Sequence, residues 1–154
     1  MSLINIYLAR HGETEYNRQN KIQGRGIDAS LNETGLQQAR GIAGYLQDTS
    51  IDKIISSSLK RSIETAEEVA RKKDLTLVSH SDLDEMDFGI LEGRPISDIK
   101  SDLQELHQRW EKGDVDHCCD GGESPAVVFD RANKRAQRVL EQDFDNLLFV
   151  LHGR

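Results

Sequence analysis

The chain has 154 residues, and 20 Lys and Arg against 27 Asp and Glu give a formal charge of −7. That length suits one domain, 1–154, because a single core serves roughly 100–200 residues. Apolar runs such as Leu147–Leu151 fall far short of the ~20 residues a membrane span needs. No basic segment leads into an apolar one at the start, which disfavours secretion. The acidic balance disfavours binding to nucleic acid or anionic membrane, and adjacent Cys118 and Cys119 make no disulfide framework. The expected class is a cytoplasmic enzyme.

Taken in chain order, strand-like and helix-like segments alternate. Ile4, Ile6, Tyr7 and Leu8 form an apolar run ending at Arg10-His11-Gly12. Asn32 can cap a helix with Leu36, Ala39, Ile42, Ala43 and Leu46 on one face. A second run at Ile54–Ile55 precedes Ser58, which can cap a helix carrying Ile63, Ala66, Val69 and Ala70. A third run, Leu75–Val78, is followed at a distance by Ile99, Leu103 and Leu106 at helical spacing after Ser97. Ser124-Pro125 is a helix start, since Pro at the first position loses no hydrogen bond the helix needs. That helix carries Val128, Ala132, Arg135, Ala136 and Val139 on one stripe, and the run Leu147–Leu151 closes the series. Continuous apolar runs without alternation predict strands covered on both faces. The fold class is therefore α/β, with a mostly parallel sheet between helices.

In such folds ligands bind beyond the carboxyl ends of the strands. Those ends carry Arg10-His11-Gly12, Ser56-Ser57-Ser58-Leu59-Lys60-Arg61 and His152-Gly153-Arg154. Neutral imidazole is a nucleophile at phosphorus. Guanidinium forks match phosphoryl oxygens in pairs, and a carboxylic acid can protonate a departing alkoxide. His, Arg and Glu together make a phosphoryl-transfer kit that needs no metal or other cofactor.

Arg10-His11-Gly12-Glu13-Thr14 with Asn17 resembles the signature of the histidine phosphatase superfamily, the phosphoglycerate mutase-like fold. The likeness continues through Gln23-Gly24, Leu31-Asn32-Glu33-Thr34-Gly35, Ser57-Ser58-Leu59-Lys60-Arg61, Leu83-Asp84-Glu85-Met86-Asp87-Phe88-Gly89, Gly122-Glu123-Ser124 and Leu151-His152-Gly153. The resemblance implies a three-layer α/β/α sandwich. It also implies that His11 attacks phosphorus, that Glu85 protonates the leaving oxygen, and that His152 assists, protonated beside a bound phosphate. Arg10, Asn17, Gln23, the Gly24 backbone, Arg61 and Gly153 would hold the substrate. Arg61 near a helix start is electrostatically awkward alone, but an anion bound there makes dipole and guanidinium cooperate.

Duller readings compete at several positions. Asp82, Asp84 or Asp87 could replace Glu85 as the acid, and Asn17 and Gln23 could merely satisfy turns. The stretch Asp114-Val115-Asp116-His117-Cys118-Cys119-Asp120 lacks the paired Cys spacing of a zinc site, so it reads as a solvated loop. Gly24-Arg25-Gly26 lacks the third glycine of a dinucleotide fingerprint. The 85–125 region, with Phe88, Arg94 and Trp110, is expected to form a substrate lid.

The chain stops two residues after His152, whereas members of the resembled family continue through another helix and strand. A C-terminally shortened domain is therefore expected, with exposed apolar sheet surface that favours homo-oligomers or aggregation. Glu85 and His152 stand 67 positions apart, a compactness that looks more like the family's small phosphatases than its mutases. The expected activity is hydrolysis of a small phosphorylated metabolite through a phosphohistidine. The alternatives are a 2,3-bisphosphoglycerate-dependent phosphoglycerate mutase and a phospho-ligand-binding protein with little turnover.

Overall fold

The structure is a computed structural model that describes residues 3–153; Arg154, named above with His152 and Gly153, lies outside them. In chain order the elements are β1 (Asn5–Arg10), α1 (Glu15–Arg18), α2 (Glu33–Tyr45), β2 (Lys53–Ser57), α3 (Lys60–Lys73), β3 (Leu77–His80), α4 (Lys100–Glu111), α5 (Pro125–Leu140) and β4 (Asn146–Leu151). Three short 3₁₀ turns, Ser81–Leu83, Gly89–Leu91 and Ile96–Ile99, link β3 to α4. The four strands form one parallel sheet in the order β1-β4-β2-β3.

The inner strands β2 and β4 are almost wholly buried, as their unbroken apolar runs require. On one face, Ala43 of α2, Leu46 capping its end, and Ala66, Val69 and Ala70 of α3 pack against Ile54, Leu148 and Val150. On the other face, Val139 and Ala132 of α5, with Leu83, cover Ile55, Leu147 and Phe149. These three layers are the expected α/β/α arrangement. Residues 86–119 add a separate apolar cluster in which Phe88, Leu91, Ile99, Leu103 and Leu106 close on Ile22. No helix among the described residues is long and apolar enough to cross a membrane.

Two helix starts behave as read: Asn32 Oδ1 accepts the Gly35 N–H, and Ser124 caps α5 ahead of Pro125. The third does not. The cap of α3 is Leu59, without a side-chain bond, because Ser58 serves Asp84 instead. Both the Ser58 N–H (2.8 Å) and its hydroxyl (2.9 Å) donate to that carboxylate, and a bond to an ionised acceptor outweighs a neutral cap. Leu75 lies in no strand but just past the end of α3, where Asp74 takes a left-handed φ of 54° and the Leu75 N–H closes on Ala70 O. The expectation that all strands are covered on both faces also fails at β1. It is an edge strand, and α5 lies over β2 and β4, so Ile6 and Leu8 on one of its faces remain 47% and 74% exposed.

Candidate active site

The register of β1 against β4 brings the two histidines together. Arg10 pairs with Leu151, and the His11 N–H donates to Leu151 O at 3.0 Å. The residues that follow, His11 and His152, therefore leave neighbouring strands side by side, with ring centroids 5.2 Å apart. Ser57, at the end of β2 on the other side of β4, completes the row, its Oγ lying 2.8 Å from His152 Nε2.

His11 is buried, and its Nδ1 lies 2.7 Å from the carbonyl oxygen of Gly12. A carbonyl can only accept, so Nδ1 carries the proton and Nε2 keeps its lone pair. Burial lowers the His11 pKa to about 4; Arg61 and Arg10 push the same way, against the Gly12 hydrogen bond. The ring is thus neutral near pH 7, the form a nucleophile needs. The loop that holds it is locked onto α2 and α3. The Gly12 N–H donates to Thr65 Oγ1 at 3.0 Å, and a Cβ on Gly12 would lie 2.5 Å from Gly35 O.

His152 is neutral as well. Burial, then Arg61, His11, Arg10 and Arg131, lower its pKa to about 2, so in the protein alone the lost hydration and the guanidiniums keep it uncharged. Two hydroxyls face Nε2, Ser57 Oγ, which also accepts the Leu59 N–H, and Ser62 Oγ at 3.4 Å; when either donates to Nε2, the ring proton sits on Nδ1. That Nδ1 is buried without a hydrogen-bond partner among the described residues, and so is Arg61 Nε. Arg61 is fully buried at the start of α3 and directs Nη1 to Ile27 O (2.9 Å) and Nη2 to Gly24 O (3.1 Å). Two of its five N–H donors therefore hold the 24–27 loop, and Nε is the nitrogen with no bond of its own among the described residues. Burial pulls its pKa below the usual guanidinium value, opposed by Glu85, Asp28, Asp84 and Glu92.

A cavity of about 360 Å³ opens at this point, lined among others by Arg10, His11, Asn17, Gln23, Glu85 and Gly153. Of the nine expected catalytic and substrate-binding residues, these six line it. His152 and Arg61 are not in the lining, and Gly24 is packed away, its carbonyl on Arg61 and its Cα so close to Glu92 that a Cβ would fall 2.0 Å from Oε1. Asn17 Oδ1 accepts the Thr14 N–H in a capping box, which leaves its Nδ2 donors for a ligand. The Thr14 hydroxyl lies 3.0 Å from Asn17 Oδ1 and 2.8 Å from Gln23 Oε1, and its single proton serves one at a time. Gly153 lets Arg10 lie close, since a Cβ there would sit 2.9 Å from Arg10 Nε.

The four candidate acids separate cleanly. Asp82 pairs with Arg135, Asp84 with Ser58 and Arg25, and Asp87 Oδ1 accepts the Gly89 N–H. Only Glu85, buried, lines the cavity, and its Oε1 accepts the Met86 N–H at 2.9 Å. Of the expected lid residues, Phe88 lines the cavity with Ile22 and Ile96. Arg94 and Trp110 do not, and the Trp110 Nε1–H instead donates to His117 O. The sequence reading missed as supports Ser57, Thr65 and Ser62, whose Oγ lies 3.4 Å from His152 Nε2, and Asn20 and Lys21 as lining. Thr65 stands four residues after Arg61, one helical turn along the same face, which is the signal that could have found it.

Comparison with known proteins agrees with this geometry. Residues 6–154 match the histidine phosphatase superfamily (branch 1). The chain is 35% identical over 153 residues to the probable phosphoglycerate mutase GpmB of Escherichia coli, covering 98% of this chain and 70% of that one. It superposes on a mycobacterial glucosyl-3-phosphoglycerate phosphatase solved with VO3 at a TM-score of 0.84 and 27% identity, covering 95% of this chain and 74% of the other. The alpha-ribazole phosphatase of Shigella flexneri gives a TM-score of 0.79 at 30% identity, covering 96% and 73%. With a match across nearly its whole length and two histidines meeting at the ends of adjacent parallel strands, the chain belongs to the histidine phosphatase superfamily.

Proposed function

We propose that this protein is a phosphomonoesterase that hydrolyses a small phosphorylated metabolite through a phosphohistidine at His11. One observation carries the reading: a neutral His11, its Nε2 lone pair available, has its ring 5.2 Å from that of His152, and His152 Nδ1 and Arg61 Nε are buried polar atoms without a hydrogen-bond partner among the described residues. Buried polar atoms are ordinarily satisfied, and the oxygens of a phosphoryl group are acceptors of the right kind. In the first step His11 Nε2 forms a bond to phosphorus as the ester P–O bond breaks, and Glu85 gives its proton to the leaving oxygen. In the second, the Glu85 carboxylate takes a proton from water, whose oxygen attacks phosphorus and breaks the P–N bond. Arg10, Asn17, Arg61 and His152 stabilise the charge spread over the phosphoryl oxygens in both steps. The cavity of about 360 Å³ is of a size that holds a small phosphorylated metabolite.

The test is hydrolysis of 4-nitrophenyl phosphate with rapid-quench trapping of acid-labile phosphate on the protein. Wild type should turn over and label, and His11→Ala should lose roughly 10³-fold or more in rate together with the label. Equal rates for the two proteins would remove His11 from the mechanism. The GpmB match favours a second reading, a phosphoglycerate mutase. Interconversion of 3- and 2-phosphoglycerate faster than phosphate release would select it.

A further inference from the structure

Outside the cavity lining lies a cation that the chemistry above does not use. Arg131 sits on the inner side of α5 with its side chain 13% exposed, and its guanidinium is saturated. Nε donates to Glu123 Oε1 (2.9 Å), and Nη2 to Glu123 Oε2 (2.8 Å) and the Glu85 carbonyl (3.0 Å). Nη1 donates to the carbonyls of Asp82 and Asp84, each at 2.8 Å. Five N–H donors thus meet five acceptors. Glu123 extends the clamp, since its Oε2 also accepts the Asp87 N–H at 3.0 Å and the Asp87 carbonyl accepts the Glu123 N–H at 2.8 Å. The segment on both sides of Glu85 is therefore fixed at residues 82, 84, 85 and 87, all through one guanidinium and its carboxylate.

A loop without repeating structure has no ladder to orient its peptides, and bonds from a charged donor to carbonyls are among the stronger ones available. Holding the carbonyls of residues 84 and 85 fixes the peptide planes either side of the Glu85 Cα, and with them the direction in which its side chain leaves the backbone. We propose that Arg131 is a positioning residue for Glu85, aiming its carboxyl at the leaving oxygen from outside the cavity. The inference rests on the reading of Glu85 as the proton donor. It predicts a loss confined to substrates whose departing oxygen needs a proton.

Phosphoenzyme formation from 4-nitrophenyl phosphate, whose leaving oxygen is a weak base, and from phenyl phosphate, whose leaving oxygen is a stronger one, separates the two roles by rapid quench. Arg131→Met should slow labelling from phenyl phosphate by roughly 30-fold while changing that from 4-nitrophenyl phosphate by no more than about threefold. Arg131→Lys should behave alike, because one ammonium cannot span a carboxylate and three carbonyls. Equal losses on both substrates would mean a structural role only, and no loss on either would mean none; both outcomes overturn the proposal. Should the Arg131 variants fail to fold, Glu123→Gln decides, with a smaller loss of the same leaving-group dependence expected and a uniform loss or none overturning it. Glu85→Gln guards the premise. If it lacks the leaving-group dependence, or wild type never labels, the functional reading itself has failed. A leaving-group-dependent Glu85→Gln beside uniform Arg131 variants sinks only the positioning role.

Discussion

His11 and His152 enter the native state as neutral rings, with pKa values of about 4 and about 2 against roughly 6.5 in an unfolded chain. Because both values are lowered on folding, the unfolded chain takes up protons first as the solution is acidified. Their contribution to stability is whole above about pH 6.5 and is lost as pH falls toward 4, where His11 begins to charge in the native state too. By pH 5 each ring can account for about 2 kcal/mol of that loss. Urea unfolding at pH 7.5, 6 and 5 should show stability falling steadily, and His11→Gln should flatten the fall by roughly 1–2 kcal/mol. Parallel pH dependences for the two proteins would mean that His11 is not held neutral by the fold. At this scale the sequence spoke clearly for residues whose chemistry is rare, the two His-Gly pairs. It left Glu85 among four acids, because only the partners taken by Asp82, Asp84 and Asp87 set them apart.

The loop after β1 reaches its position by lying against the first turn of α2, and two glycines make the approach. A Cβ on Gly35 would fall 2.1 Å from Glu13 O and 2.8 Å from Glu13 N, both rigid backbone atoms. Gly35→Ala should cost roughly 1–3 kcal/mol and lower kcat with it, since the loop that moves carries His11. Gly41 on the same helix has nothing within 4 Å of its Cβ position. Gly41→Ala should therefore raise stability by about 0.5–1 kcal/mol through helix propensity alone. Thermal melts of the pair check both signs, and a neutral Gly35→Ala would show that the contact is looser than drawn. The helix itself was legible, because Asn32 and its apolar spacing are local signals. The start of α3 was not. Ser58 answers to Asp84, 26 residues further on, and no local pattern announces a competitor that distant.

Strand order is the feature that the chain could not announce. The four strands were recognisable one by one, yet the site exists only because β4, last in sequence, inserts between β1 and β2 and carries His152 to His11. The same order leaves β1 on the edge. There Ile6 and Leu8 are exposed on one face, and an open groove of about 640 Å³ runs between β1 and α2, lined by Tyr7, Leu8, Ile42 and Tyr45 among others. The chain spans 70% of the length of the GpmB relative. An edge strand left unpaired among the described residues and flanked by apolar side chains is a template for association, so the 154-residue polypeptide should self-associate with rising concentration. Sedimentation velocity across a concentration series should show species heavier than the 17.4 kDa monomer. Leu8→Lys should return it toward the monomer without changing its circular dichroism, because that side chain is 74% exposed and contributes little to the core. A wild type that stays monomeric at every concentration would mean that the edge is protected by its own twist and short length, and that the exposed face is tolerated by the fold.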